Sequence, residues 1–243
     1  MLNFRRFFIL AAVILALPVL AAGQTRPGVT LGNQEMSVEQ SYLQESVELM
    51  IIREQSRTDS RDMKLVALEY IGDAINRGNR SDEIRASLEY LSLEGVVNIA
   101  RENGRVVNNF PDVRKQAAFY LGQLGTPEAK DTLLKMVNGD NEPMVITEAI
   151  RSLGTIGLND SEEVSKTISW TVNRFHGLNP DNFLALSALD AFEKLAAANN
   201  GIHDRNALET IIKIADGPYV RPVQDRAREL LDELRQYGGE NRD

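Results

Sequence analysis

The stretch PDVRKQAAFYLGQLG, residues Pro111 to Gly125, recurs without a gap as PMVITEAIRSLGTIG, residues Pro143 to Gly157. The two copies share the proline, a valine, a central alanine, a Leu-Gly pair and a final apolar-Gly pair. Apolar residues at helical spacing around a small residue predict a helix that packs closely against another helix. Because recurrence at a few tens of residues is typical of stacked repeat proteins, the two copies predict an array.

Three weaker copies extend the repeat to both sides. Each has a small residue at the position of Ala117 and Ala149, with apolar residues around it. They read DMKLVALEYIGDAI around Ala67, NFLALSALDAFEKLA around Ala188 and PVQDRARELLDELRQ around Ala227. Nothing after Ser37 alternates convincingly with period two, so no strand is predicted.

Each of the first four copies is followed by a second recurring stretch, which predicts a second helix, helix B, after the first, helix A. The four stretches are EGVVNIA (Glu94–Ala100), DTLLKMV (Asp131–Val137), KTISWTV (Lys166–Val172) and ETIIKIA (Glu209–Ala215). Thr126-Pro127-Glu128 predicts the start of one helix B, with threonine as the cap and the acid near the positive end of the helix dipole.

Glycines mark the predicted helix ends. Helix A is predicted to end near Gly125 and Gly157 in the two best copies. Left-handed glycines are predicted to close the four B helices, because a helix C-terminus favours that conformation. They are Gly104, Gly139, Gly177 and Gly217.

The pattern Val-Arg, Ala, Leu-Gly-x-Leu-Gly of residues 113–125, followed by Thr-Pro-Glu-Ala, resembles the HEAT-repeat family. It is most similar to the short bacterial HEAT-like repeats, and the resemblance extends over about residues 60–237. It implies an all-α fold, an α-solenoid of antiparallel helix pairs, whose function is usually to bind or scaffold other proteins. In the later units the Leu-Gly pair becomes Phe192-Glu193 and Leu231-Asp232.

The predicted HEAT-like solenoid occupies residues 37–237, with a disordered tail at 238–243. It consists of about four helix pairs between two capping helices. The predicted ranges are 37–55 for the N-terminal cap, 60–104, 111–139, 143–177 and 182–217 for the repeats, and 221–236 for the C-terminal cap. The first repeat has about a dozen extra residues, which predict an added helix turn around Ser81–Leu91.

The N-terminal sequence MLNFRRFFILAAVILALPVLAAGQ predicts a secretory signal peptide in residues 1–23. Two arginines precede an apolar run from Phe7 to Leu20 and small residues up to Gly23, which is the usual layout of such a signal. An uncleaved membrane anchor is the alternative, although a membrane-spanning helix usually needs about 20 residues. Residues 24–36 predict a flexible linker. We therefore expect export, to the periplasm first and otherwise to the cell envelope or the medium.

Composition argues against several functions. The net charge is -8 without a basic stripe, so the chain is a poor candidate for binding nucleic acid. There is no cysteine for a disulfide or a thiol nucleophile. His176 and His203 are predicted in loops, and neither has metal-ligand spacing to another such residue. We predict no catalytic residue, no metal, no cofactor and no small-molecule substrate. A membrane contact would come only from an uncleaved signal segment.

One helix-B column contains Trp170, the only tryptophan of the chain. The other members of this column are Asn98, Lys135 and Lys213, with Glu94, Asp131, Lys166 and Glu209 one turn earlier. Helical spacing puts Trp170 opposite the apolar stripe, so the column is predicted to be the solvent face of the inner helix layer. Two i, i+4 pairs, Asp131–Lys135 and Glu209–Lys213, would support that exposed face.

An exposed tryptophan in a polar setting is typical of the centre of a binding interface. Two other interpretations of Trp170 remain open. Lys166 could lie over the indole in a cation–π contact, or residues 173–183 could fold back and cover the ring.

Three functions follow. The first is an exported, non-catalytic scaffold that offers the column to another protein, with basic segments weakly favoured by the acidic charge. The second is a structural spacer of a cell-envelope assembly, whose ends at Ser37–Arg53 and Pro222–Gln236 make the contacts. The third is an enzyme or lyase-like protein on a HEAT scaffold, since some relatives with such repeats act on bound chromophores.

Overall fold

The computed structural model describes residues 37–178 and 180–239. The predicted signal peptide, the predicted linker 24–36 and the end of the predicted tail lie outside the described residues. The elements within them are α1 Val38–Ser56, α2 Arg61–Asn76, α3 Asp82–Ser92, β1 Arg101–Glu102, β2 Arg105–Val106, α4 Pro111–Leu124, α5 Pro127–Gly139, α6 Pro143–Ile156, α7 Glu163–Leu178, α8 Asn182–Ala198, α9 Arg205–Asp216 and α10 Arg221–Gly239. None of the described helices has the length and apolar character needed to cross a membrane.

The helices form two layers. In the A layer, α2, α4, α6, α8 and α10 pack against one another in that order, and in the B layer α3, α5, α7 and α9 do the same. At one end α1 packs on α2 and α3, and at the other α10 packs on both α8 and α9. The predicted all-α solenoid of helix pairs with capping helices is therefore confirmed.

Small residues of the repeat set the distance between neighbouring A helices. Ala117 and Ala149 have no exposed surface. At Gly154 an added Cβ would lie only 2.6 Å from the Cα atom of Ala191 on the next A helix. The Leu-Gly pair of the sequence is thus the place where one A helix crosses closely over the next.

One predicted helix start and two predicted helix ends are found where the repeat places them. The Thr126 hydroxyl accepts a hydrogen bond from the Ala129 N–H at 3.2 Å and caps α5. Gly125 and Gly157 close α4 and α6 with φ angles of 69° and 76°, which favour glycine.

The left-handed ends predicted after the B helices are wrong in three units. Gly139 and Gly177 lie inside the last turns of α5 and α7, and Gly217 has a φ of -87°. The residue after Gly139, Asp140, ends α5 instead, with its backbone N–H bonded to the carbonyl of Met136. A helix that ends in an extended residue needs no left-handed glycine.

The prediction that Glu94–Ala100 forms a B helix is also wrong. The segment around Ser81–Leu91, predicted to be an added turn, is itself the B helix of the first unit, because α3 packs against α4 and α5. Residues 93–110, here called the insertion, follow it and contain the antiparallel hairpin of β1 and β2. The expectation of no strand therefore fails at this one place in the described residues.

Candidate protein-binding surface

Trp170 projects from the exposed side of α5, α7 and α9, here called the B face. Its side chain is 54% exposed, whereas Val164, Ile168 and Val172 on the opposite side of α7 are buried. The interpretation of Trp170 as a core residue is therefore wrong. The exposed aromatic ring is the first component of a candidate binding surface.

Arg174 holds the indole from one turn further along α7. Its guanidinium carbon lies 4.9 Å from the centre of the Trp170 ring, a cation–π contact. Lys166, predicted to make that contact, instead pairs with Glu162 at 2.9 Å. The hydrogen bond that Lys166 donates to the Glu162 carboxylate raises the pKa of Lys166 above its ordinary value.

The two predicted i, i+4 pairs of the column are not formed. Asp131 pairs with its neighbour Lys130 at 3.1 Å, and Glu209 pairs with Arg205 at 2.8 Å. Each acid has a nearer cation on its own helix, which leaves Lys135 and Lys213 to other contacts.

Lys213 bridges two B helices beside the tryptophan. Its Nζ donates to Asn173 Oδ1 on α7 at 3.0 Å, and Asn173 Nδ2 donates to Thr210 Oγ1 on α9 at 2.9 Å. These bonds fix α9 against α7 one turn from Trp170. The structure thus brings Lys213 and Trp170 onto neighbouring parts of one surface.

The B face continues into a groove of about 800 Å³ between α5 and α7. Its lining residues are Lys130, Asp131, Leu134, Lys135, Asn138, Gly139 and Glu163. Across the described part of the chain, Lys135, Arg174 and Lys213 have no carboxylate within ion-pair distance. Within the described residues, Lys135, Arg174 and Lys213 are therefore cations without an ion-pair partner near Trp170, on a face that also carries the acids Asp131, Glu162, Glu163 and Glu209.

Glu94 and Asn98, the first-unit members of the column, do not belong to the B face. Both lie in the insertion and form a β-bridge with each other. Glu94 is only 4% exposed, and one of its carboxylate oxygens is 2.8 Å from the Nζ of the fully buried Lys64. Glu94 is thus a structural residue, and its predicted place on an exposed helix is wrong.

A second buried ion pair fastens the other side of the insertion. Arg114 on α4 contacts both carboxylate oxygens of Asp140, at 2.6 and 3.2 Å, and both residues are at most 2% exposed. Arg114 Nη1 also donates to the Glu94 carbonyl at 3.3 Å and to Asn109 Oδ1 at 2.8 Å. Two units and the insertion therefore share one buried polar network.

The insertion carries exposed apolar residues that the repeat pattern did not predict as a surface. Val97 is 62% exposed, and Ile99 and Val107 are 46% and 43% exposed. The available signal was the β-branched run after Gly95, which is poorly suited to a helix. These residues lie in the segment that connects α3 to α4 and contains the hairpin of β1 and β2.

The histidines do not form a site. His176 lies in α7 rather than in the predicted loop, with Nδ1 at 3.2 Å from the Tyr219 hydroxyl. His203 lies in the loop before α9 and is exposed. No group of three potential metal ligands occurs in residues 37–178 and 180–239.

Comparison with known families supports the repeat pattern. Residues 105–167 match the family model for HEAT repeats. The matched span covers α4, α5, α6 and the first residues of α7, so the HEAT resemblance is confirmed for the central units. No curated protein matches the chain.

Proposed function

We propose that the protein is an exported, non-catalytic scaffold that binds another protein on the B face, with Trp170 as the central contact. The observation that most supports this proposal is the 54% exposure of the only tryptophan in the chain, on a helix whose other face is buried. A large aromatic side chain held by a neighbouring guanidinium loses little freedom on binding and offers much contact area. Trp170 and Arg174 have these properties.

Charge favours an acidic segment as the ligand of the B face. The net charge of the whole chain weakly favours a basic partner, but Lys135, Arg174 and Lys213 lie locally without carboxylate partners. Because a cation without a partner beside an exposed aromatic ring can pair with an acid of the ligand, these three side chains favour acidic residues in the partner. We therefore propose a partner that combines acidic residues with an apolar side chain.

The test is capture from the native envelope fraction with crosslinking and quantitative mass spectrometry. The baits are the wild type, Trp170→Ala and Phe183→Ala. Phe183 is a matched control because it is also an exposed aromatic residue, at 78%, but lies on the A layer. We expect one protein to be captured by the wild type and by Phe183→Ala and to be lost with Trp170→Ala.

Equal capture by Trp170→Ala would contradict the proposed use of the B face, provided that circular dichroism shows the variant to be folded. A second variant, Lys213→Glu, tests the charge of the ligand. We expect it to weaken capture of an acidic partner and to strengthen capture of a basic one, because like charges in an interface repel.

Export is a separate part of the proposal. It rests on the basic start, the apolar run and the small residues of the N-terminal sequence. Mass spectrometry of the protein from a periplasmic extract should give a mature N-terminus near Ala22 or Gly23. An intact N-terminus in the membrane fraction would favour the alternative of an uncleaved anchor.

A structural spacer of a cell-envelope assembly is the second candidate function. The observation in its favour is the exposed apolar surface at both ends of the array, on α1 and on α9. On this hypothesis, B-face substitutions are tolerated and substitutions in the terminal helices are not. An enzyme on the same scaffold is the least favoured function, and a bound pigment or metal in the purified protein would revive it.

A further inference from the structure

The C-terminal end of the array contains an apolar groove of about 550 Å³ between α9 and α10. Its lining includes Ile212 of α9, Leu231, Leu234, Arg235 and Tyr237 of α10, and His203 in the loop before α9. We call it the end groove. It lies apart from the B-face groove of α5 and α7, and Trp170 is not among its residues.

The repeat identifies the end groove as the position of a B helix. When the B helices are aligned on Lys135, Trp170 and Lys213, Ile212 corresponds to Leu134 in α5 and to Ser169 in α7. Leu134 is 6% exposed and Ser169 is 1% exposed, whereas Ile212 is 48% exposed. No further B helix packs on α9 in the described residues, so a position that is buried in the internal units opens to solvent.

A position of the A layer that is buried in the internal units is also partly exposed at this end. Leu231 of α10 corresponds to Leu153 and Phe192, which have no exposed surface, but Leu231 itself is only half-buried. Terminal repeats usually present a polar outer face. Here the outer face at Ile212 and Leu231 is apolar, as expected of a surface that another helix covers.

The opposite end of the array has the matching feature, a helix with an apolar stripe that the described residues leave exposed. Leu43, Val47 and Met50 of α1 are 63%, 50% and 50% exposed. Their i, i+4, i+7 spacing puts them on one side of the helix, and the exposed Glu54 continues the same side one turn later. The other side of α1 is anchored in the core by Ile52, which has no exposed surface. We call the three apolar residues the α1 stripe.

We propose that the end groove binds the α1 stripe of a second copy of this chain, so that copies associate head to tail. The stripe has the spacing of a helix that lies in a groove. Charge is compatible with this contact, since the stripe ends at the acid Glu54 and the charged residue that lines the groove, Arg235, is basic and exposed, although it also pairs with Asp232 at 2.6 Å. This inference is independent of the B face, because Trp170 belongs to neither feature.

The two surfaces are different, so the contact is heterologous, and a dimer formed by it still has one free stripe and one free groove. Each added copy leaves one stripe and one groove free, and such contacts produce open chains unless a rotation closes a ring. One helix in one groove is a small interface, so we expect weak, concentration-dependent association.

The test is sedimentation velocity of the purified protein over a series of concentrations. The wild type should increase in average mass beyond a dimer as its concentration rises. Val47→Glu destroys the stripe and Ile212→Glu destroys the groove, and each variant alone should remain a monomer. A mixture of the two retains one intact stripe and one intact groove, so it should form a 1:1 dimer and stop there.

Val220→Glu is the matched control, because Val220 is 52% exposed and lies directly before α10, outside the end groove. It should associate as the wild type does. A wild type that stays monomeric at every concentration overturns the proposal and leaves the groove to another partner. A mixture of Val47→Glu and Ile212→Glu that stays monomeric overturns it as well.

Site-specific crosslinking gives a second measurement if a charged variant fails to fold. The chain has no cysteine, so single cysteines react alone. A bismaleimide should join Val47→Cys to Ile212→Cys in a mixture, but should not join Val47→Cys to Val220→Cys. Equal yields from the two mixtures would contradict the head-to-tail contact.

Discussion

Trp170 is held in place by its own helix rather than by the core. Its ring packs under Arg174 one turn away, and the neighbouring turn of α9 is fixed by the bond from Lys213 to Asn173. The side chain is therefore ordered and exposed at once. An ordered, exposed aromatic residue pays a smaller entropy cost on binding than a mobile one.

The single tryptophan makes its own exposure measurable. We expect acrylamide to quench the fluorescence of the folded protein strongly, because Trp170 is 54% exposed. The Stern–Volmer constant should approach that of the same chain unfolded in urea, which serves as the fully exposed reference. A constant several times lower would mean that the ring is covered and would remove Trp170 as the anchor of a partner.

Arg114 and Asp140 are bound to each other where water cannot replace either partner. Both are at most 2% exposed. A buried charge that loses its partner costs far more than an exposed one, since the remaining charge stays desolvated. The pair therefore constrains the second unit and the insertion more than it adds net stability.

We expect Asp140→Ala to lower the free energy of unfolding by about 3–5 kcal/mol, measured by urea denaturation. Arg61→Met is the control, because Arg61 also pairs with an acid across two A helices, but at an exposed position. It should leave stability unchanged within error. The double variant Arg114→Met, Asp140→Leu should be more stable than Asp140→Ala alone, and the opposite order would contradict the stranded-charge explanation.

At the scale of elements, the Leu-Gly pair fixes the crossing of successive A helices. The glycines Gly122 and Gly154 face Ser152 and Ala191, which occupy equivalent positions of the next unit. In α8 the glycine becomes Glu193, and that crossing uses an ion pair to Arg226 on α10 at 2.5 Å. Where the repeat pattern lacks its glycine, an ion pair therefore joins the two A helices in place of a close backbone contact.

Gly154→Ala tests this close approach. The added Cβ would lie 2.6 Å from a backbone atom of α8, and overpacking of this kind costs about 1–3 kcal/mol. Gly177→Ala adds the same methyl group on α7, where no atom lies within 4 Å. We expect the first variant to melt at a lower temperature and the second to be unchanged or slightly more stable. Equal effects would show that helix crossing is not the reason for the glycine.

The sequence predicted the helix pairs well where the repeat is strong and failed where it is interrupted. The stretch EGVVNIA (Glu94–Ala100) has the apolar spacing of a B helix, but Gly95 and the β-branched residues oppose helix formation. The true helix begins with Asp82 and Glu83, acids that suit a first turn, after Ser81. Local start signals were therefore more informative than similarity to the other units.

The candidate site was predictable in part. The helical spacing of α7 correctly puts Trp170 opposite the buried stripe. Arg174 lies four residues after Trp170 and Arg205 four residues before Glu209, so helical spacing alone could have suggested both contacts. The bond from Lys213 to Asn173 and the burial of Glu94 become visible only when the layers are assembled.

At the scale of the whole molecule, internal helices have neighbours on both sides and terminal helices do not. In the A layer α6 packs between α4 and α8 and also against α5, whereas α1 contacts only the first unit. Stability in such arrays is roughly a sum over units and their junctions, so the ends open first.

Hydrogen exchange followed by mass spectrometry should show this order in dilute solution. We expect the amides of α4 and α6 to exchange most slowly, and those of α1 and the end of α10 to exchange fastest. At high protein concentration α1, α9 and α10 should gain protection while α4 and α6 stay unchanged. Uniform protection along the array at low concentration would contradict the dependence on neighbours.

The two central crossings of the A layer are equivalent, so duplication of the middle helix pair would lengthen the array without changing a crossing. If a second copy of residues 143–181 followed the first, Gly154 of the first copy would face Ser152 of the second copy, and Gly154 of the second copy would face Ala191. Both Ser152 and Ala191 already face a glycine of the preceding unit in the present chain. The first unit is tied to its insertion by Lys64 and Arg114, and the last by Arg226, so neither can be copied without its dedicated neighbour. The middle pair is therefore the module through which duplication could lengthen the protein while both termini keep their surfaces.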